Sequence, residues 1–134
     1  MNTKNIRHEV IIEAATEKVF NAIMDEQQHS EYTGCSATIS NQEGGRFSAC
    51  SDKTFGYTIK LIPHSRIIQA WSHESFPDNH FSIIDFRLEK IDRGTKVTFD
   101  QFGAPQEFYE WLNEGWISTY WVPLKEYLEK KKEI

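Results

Sequence analysis

The sequence is poor in the features that mark several protein classes. It has only two cysteines in 134 residues, Cys35 and Cys50. They are too few for a disulfide scaffold, and their spacing fits neither a CxxC redox motif nor a zinc site. Both are expected as free thiols in a cytoplasmic protein. No apolar run approaches the roughly 20 residues that a membrane span needs. The polar opening, Met1 to Glu9, leads into nothing resembling a signal peptide, so a soluble, cytoplasmic chain is expected. Positive charge is not in excess: 15 Lys and Arg stand against 20 Asp and Glu, a net charge of -5. That disfavours nucleic acid as a partner, because phosphate binding needs a basic face. The one basic cluster, Lys130-Lys131-Lys132, is expected to complement the dipole at a helix end.

Catalytic motifs are missing as well. The five histidines are His8, His29, His64, His73 and His80, and none stands in an HExxH or comparable ligand spacing. No metal is expected. There is no G-x-S-x-G elbow, and Gly44-Gly45 precedes a strand-like run instead of a helix, so it is a hairpin turn and not a phosphate cradle. Without a cofactor motif or a positioned acid–base pair, no cofactor is expected and an enzyme is the least favoured reading. Repeats and low-complexity tracts are absent, and residues 1–134 are expected to form a single domain with one core.

What the chain does have is periodicity. Ile6 to Ile12 reads as a first strand. Thr16 stands as an N-cap before a helix with Val19, Phe20, Ile23 and Met24 on one face. Polar residues from Asp25 continue as further helical turns until Gly34. Short β-like runs then alternate with turn residues: Ser36 to Ser40, Arg46 to Ser51, Tyr57 to Ile62, Arg66 to His73, His80 to Lys90 and Thr95 to Phe102. The last two alternate most clearly, with Ser82, Ile84, Phe86 and Leu88 on one face and Val97 and Phe99 on the other's matching face. This is the pattern of an antiparallel sheet covered on one side.

From Pro105 to Lys132 the chain reads as one long helix carrying two costly residues. Gly115 costs about 1 kcal/mol against Ala in a helix interior and Pro123 about 3 kcal/mol. Aromatic rings at Trp111, Trp116, Tyr120 and Trp121 supply the area to offset this. Only this helix is long enough to cover the sheet. The expected fold class is therefore α+β: a curved antiparallel sheet of six to seven strands wrapped around a long C-terminal helix. Gly115 is expected where the helix presses nearest the strands.

Several segments carry a resemblance. Glu9-Val10-Ile11-Ile12-Glu13-Ala14-Ala15-Thr16-Glu17-Lys18-Val19-Phe20 resembles the first strand and helix of the SRPBCC (START-like, helix-grip) superfamily. The order of Gly44-Gly45-Arg46-Phe47, Gly56, Leu61-Ile62-Pro63, Arg66 to Trp71, Phe76 to Ser82 and Gly94 to Phe99 narrows it. With Glu114-Gly115-Trp116 and Tyr120-Trp121-Val122-Pro123-Leu124, these resemble the branch named after the C-terminal domain of the activator of heat-shock protein 90 ATPase. The resemblance spans about Glu9 to Leu128. It implies a helix-grip fold with an elongated apolar cavity between sheet and helix, but no single activity. Superfamily members bind lipids, hormones, polyketides and aromatic compounds, and some are enzymes. The eukaryotic activator carries a separate N-terminal domain; none is expected here, and so full co-chaperone activity is not expected either.

Two functional readings come from this. In the first, inward polar and aromatic residues line a pocket for a small apolar ligand. Gln69, Gln101 and Tyr120 are the hydrogen-bonding candidates; Trp71, Phe86, Phe99 and Trp116 are the walls. Tyr57, leading Ile59 and Leu61, is placed on the same inward register. In the second, the chain is a chaperone-associated interaction module with its Phe76-Pro77 loop and a strand edge as contact surface. A homodimer is the further partner that the resemblance suggests.

Overall fold

In a computed structural model that describes residues 2–132, with side chains through 130, the alternating runs all pair into one sheet. The Lys131 and Lys132 part of the tri-lysine reading lies outside the described side chains. The seven strands are β1 (Thr3–Ile12), β2 (Ala37–Ile39), β3 (Arg46–Ala49), β4 (Thr54–Ile62), β5 (Arg66–His73), β6 (Ser82–Ile91) and β7 (Gly94–Pro105). Their spatial order is β1-β7-β6-β5-β4-β3-β2, and every neighbouring pair is antiparallel. The sheet is thus a meander from β2 to β7, closed by β1 on the far edge of β7. The fold is α+β.

Between β1 and β2 come helices α1 (Thr16–Met24) and α2 (Glu26–Thr33). The cap of α1 is Ala15, with no side-chain hydrogen bond, and Thr16 is its first helical residue. The side-chain cap belongs to α2, where the Asp25 carboxylate accepts the Gln28 N–H at 2.9 Å. Gly34, with φ +76°, ends α2.

One sheet face carries the core. Val97 and Phe99 of β7, Ile84 and Phe86 of β6, and Ile67 of β5 are buried against the C-terminal helix. That helix runs through a 3-10 turn (Gln106–Phe108), α3 (Tyr109–Gly115), a π-helical turn (Trp116–Trp121) and α4 (Val122–Lys132). The π turn explains Pro123. In an α-helix a proline ring meets the carbonyl four residues back and leaves it without its N–H partner. Here the Val122 N–H already reaches five residues back, to Ile117. The Ser118 and Thr119 hydroxyls donate to the Glu114 and Gly115 carbonyls four residues back. The extra residue per turn also swings Trp121 onto the face shared by Trp116 and Tyr120, so all three are buried. Trp121 donates to His8 Nδ1 at 3.1 Å, which puts the His8 proton on Nε2, 2.7 Å from Asn113 Oδ1.

Three local expectations need correction. Tyr57 does not point inward: it is 46% exposed, whereas Thr58 is fully buried. A bulge at Ile59 then shifts the register, so that Leu61 faces Ile67. Gly115 is not pressed on the strands, since a Cβ there would meet open space. The close approach occurs at Gly56 instead, where a Cβ would collide with the Ala70 carbonyl. Finally, Cys35 and Cys50 are not free thiols but a disulfide, with Cα atoms 4.8 Å apart. Spacing along the chain could not show that the end of α2 and the end of β3 meet.

Candidate functional site

A cavity of about 320 Å³ lies between the C-terminal helix and the β2–β6 part of the sheet, with α1 and α2 closing one side. The alternation of each strand decides its walls. Gln69, Trp71 and His73 share one face of β5, as Ile84 and Phe86 do on β6. The helix contributes Trp111, Leu112, Gly115, Trp116, Thr119 and Tyr120, and α2 contributes His29 and Thr33.

Of the seven candidates, Gln69, Trp71, Phe86, Trp116 and Tyr120 border this cavity. Trp71 and Trp116 lie with ring centroids 5.7 Å apart, and Phe86 and Tyr120 6.3 Å apart. Phe99 and Gln101 are not brought to the lining. Phe99 is fully buried beneath Trp116, 4.5 Å between centroids. The Gln101 amide is spent on positioning: Oε1 accepts from Trp116 Nε1 at 2.8 Å, and Nε2 donates to Ser82 Oγ at 2.9 Å. Ser82 in turn donates to the Trp71 carbonyl at 2.8 Å. This relay ties the two tryptophan walls to each other through the sheet.

The other two polar candidates differ. Gln69 Nε2 donates to Thr58 Oγ1 at 3.2 Å and touches Met24 Sδ at 3.8 Å. Its amide oxygen makes no hydrogen bond among the described residues. Tyr120 pairs with Tyr32 at 3.2 Å, and the Tyr32 hydroxyl donates to the Ala22 carbonyl at 3.1 Å. Burial raises both phenols above their ordinary range, so both stay neutral.

His29 escaped the sequence reading because it sits in a polar stretch of α2 with no motif around it. Its ring contacts Tyr32 and Tyr120, with centroids 5.3 and 5.5 Å away. Desolvation pushes its pKa down to about 4, so the ring is neutral at pH 7. Its Nδ1 is buried with no hydrogen-bond partner among the described residues. At the mouth, Trp111 is 53% exposed and meets His73 edge-on at 4.8 Å. The aromatic pattern of the helix pointed to Trp111; nothing in the sequence pointed to the β2–β3 residues Ala37, Ile39, Phe47 and Ala49 that form the opposite wall. Among the described residues no group of three or more His, Cys, Asp or Glu is placed to hold a metal ion. No described helix is long and apolar enough to cross a membrane.

A curved sheet gripping one long helix around a small apolar cavity defines a helix-grip domain of the SRPBCC type. Within that class, the chain belongs to the family of activator of Hsp90 ATPase homolog 1-like proteins, whose model matches residues 13–129. It is 23% identical over 110 residues to the human activator of 90 kDa heat shock protein ATPase homolog 1, covering 82% of this chain and 32% of that protein. The chain spans only 30–37% of the length of the curated relatives it matches. Among solved structures, MLL2253 from Mesorhizobium loti superposes with a TM-score of 0.82 at 19% identity, over 95% of this chain and 98% of that one. The Aha1 dimer from Colwellia psychrerythraea gives 0.80 at 20% identity, over 95% and 97%.

Proposed function

We propose that this protein binds a small, mainly apolar molecule in the cavity between sheet and C-terminal helix, in the cytoplasm. The cavity itself carries the reading. Its volume of about 320 Å³ falls at the lower end of the roughly 300–1,000 Å³ of small-molecule sites, and its walls are aromatic with few polar groups. Trp71, Phe86, Trp116 and Tyr120 serve as walls, and Gln69 supplies the orienting hydrogen bond. Phe99 and Gln101 act behind them by holding Trp116. A ligand group bonded to His29 Nδ1 would relieve a buried unpaired nitrogen, which costs about 1–3 kcal/mol. No catalytic role is assigned. The test is native mass spectrometry of the purified protein, followed by fluorescence titration with an apolar probe. A bound small molecule, or saturable quenching of the cavity tryptophans at 1:1 stoichiometry, supports the reading. Absence of both overturns it.

A second reading is favoured by one observation, the names of the relatives. A chaperone-associated module would raise the ATPase rate of an Hsp90-type chaperone from the same host; an unchanged rate and no co-precipitation would remove it. Self-association, suggested by the dimeric Colwellia protein, is checked by sedimentation velocity.

A further inference from the structure

The Cys35–Cys50 bridge is part of the cavity wall, since both residues border the cavity. It ties the turn after α2 to the end of β3, and the loop it closes is the β2–β3 hairpin. That hairpin forms the wall opposite the helix through Ala37, Ile39, Phe47 and Ala49, and β2 is the outermost strand of the sheet. Of these four residues only Ala37 is buried. Beyond the ladder to β4, side-chain bonds hold the hairpin. Ser30 Oγ accepts from the Ala37 N–H, and Glu26 Oε1 from the Ile39 N–H. Segments held by few buried apolar contacts are the first to open.

The backbone at the bridge is also under load. Cys50, Ser51 and Asp52 have φ of +55°, +61° and +63°, three successive non-glycine residues in the left-handed region. Such conformations persist only where the surroundings impose them. Both cysteines are half-buried, not sealed in the core.

We propose that Cys35 and Cys50 form a reversible dithiol–disulfide latch that sets how firmly the cavity holds its ligand. The effect on affinity rests on the ligand-binding reading above; the latch itself does not. In reduction, the thiolate of an external dithiol attacks one sulfur of the bridge and forms a mixed disulfide, releasing the other sulfur as a thiolate. The second thiol of the reductant then displaces the remaining cysteine. Two electrons and two protons end on Cys35 and Cys50, and the reductant leaves as its own disulfide. Oxidised glutathione drives the reverse reaction. The bridged state holds the hairpin wall in place and keeps the cavity preorganised. The reduced state lets the hairpin relax, and ligand escapes faster.

The experiment uses the full chain, equilibrated with either oxidised glutathione or dithiothreitol, and the neutral fluorophore N-phenyl-1-naphthylamine as probe. Reduction is expected to raise the probe's Kd about tenfold. The double variant Cys35→Ala/Cys50→Ala is expected to bind like reduced protein under both conditions. In parallel, amide exchange across residues 36–50 of the unsubstituted chain is expected to accelerate on reduction, while β6 and β7 stay protected. Equal affinities of the two forms, or two free thiols remaining in oxidised glutathione, would overturn the proposal. If the probe binds neither form, the ligand reading fails by itself, and the exchange data judge the latch: unchanged exchange in the hairpin sinks it.

Discussion

At Gly115 the helix carries a hydrogen where a side chain would enter the cavity. Its φ and ψ of -62° and -43° are ordinary helix values, and open space lies where a Cβ would stand. Gly115→Ala is therefore expected to stabilise the protein by about 0.5–1 kcal/mol, read as a higher Tm. Gly115→Leu should fill the cavity and abolish probe binding while the fold is kept. Loss of stability in the alanine variant would return Gly115 to the close-approach role that the sequence suggested. His29 makes the second residue-scale prediction. Its folded pKa of about 4 lies below the unfolded value of about 6.5, so the unfolded chain binds the proton first as pH falls. The neutral ring's contribution is complete above about pH 6.5 and is lost progressively towards pH 4. Wild-type protein should lose on the order of 2 kcal/mol from this group between pH 7 and 5. Urea titrations of wild type and His29→Phe at both pH values measure the difference; equal pH dependence would discount it.

Among the elements, the C-terminal helix shows best what spacing reveals and what it hides. Its length, its aromatic face and its two costly residues were legible, because a 3.6-residue period is written in one local stretch. The π turn was not, because it depends on where Trp121 finds His8, more than a hundred residues away in the chain. Pro123→Ala is accordingly expected to gain less than about 1 kcal/mol, well short of the roughly 3 kcal/mol of a proline in a regular helix. The π turn already avoids the ring clash, and alanine adds chain freedom to the unfolded state. Chemical denaturation decides it, and a gain near the full figure would show that the turn gives Pro123 no relief. The strands behave likewise. The β5, β6 and β7 faces followed from alternation, whereas β4 did not, since a single bulge at Ile59 changes which side chains turn inward.

For the whole molecule, the convex sheet face carries a second organisation beside the cavity. Asp85 and Asp100, 5% and 3% exposed, lie opposite each other on β6 and β7. Arg66 grips Asp85 at 2.9 Å, and Arg87 reaches both carboxylates, Asp100 at 2.8 Å. Arg7 from β1 adds a two-pronged contact to Asp100 at 2.7 and 2.9 Å. This network sews the sheet across β5, β6, β7 and β1. The Arg7 hydrogen bond leads the interactions that hold Asp100 below its ordinary carboxylate range. That stabilisation is present above the unfolded pKa of about 3.9 and is lost as pH falls through the lower folded value. Asp100→Asn should cost about 1–2 kcal/mol at pH 7 and flatten the acid limb below pH 4 in urea titrations, separately from the His29 window above it. An unchanged acid limb would reduce the network to surface decoration.

The sequence by itself determined the fold class and the family, along with most of the inward faces, since periodicity and ordered motifs are local properties of the chain. It also pointed to five of the residues that border the cavity, through strand register and helix spacing. Tertiary structure alone decided that Phe99 and Gln101 serve as supports, that Gly115 faces open space, that His29 is stripped of solvent, and that Cys35 meets Cys50. Each of these depends on which distant surfaces come together, and neither a residue's type nor its spacing carries that information.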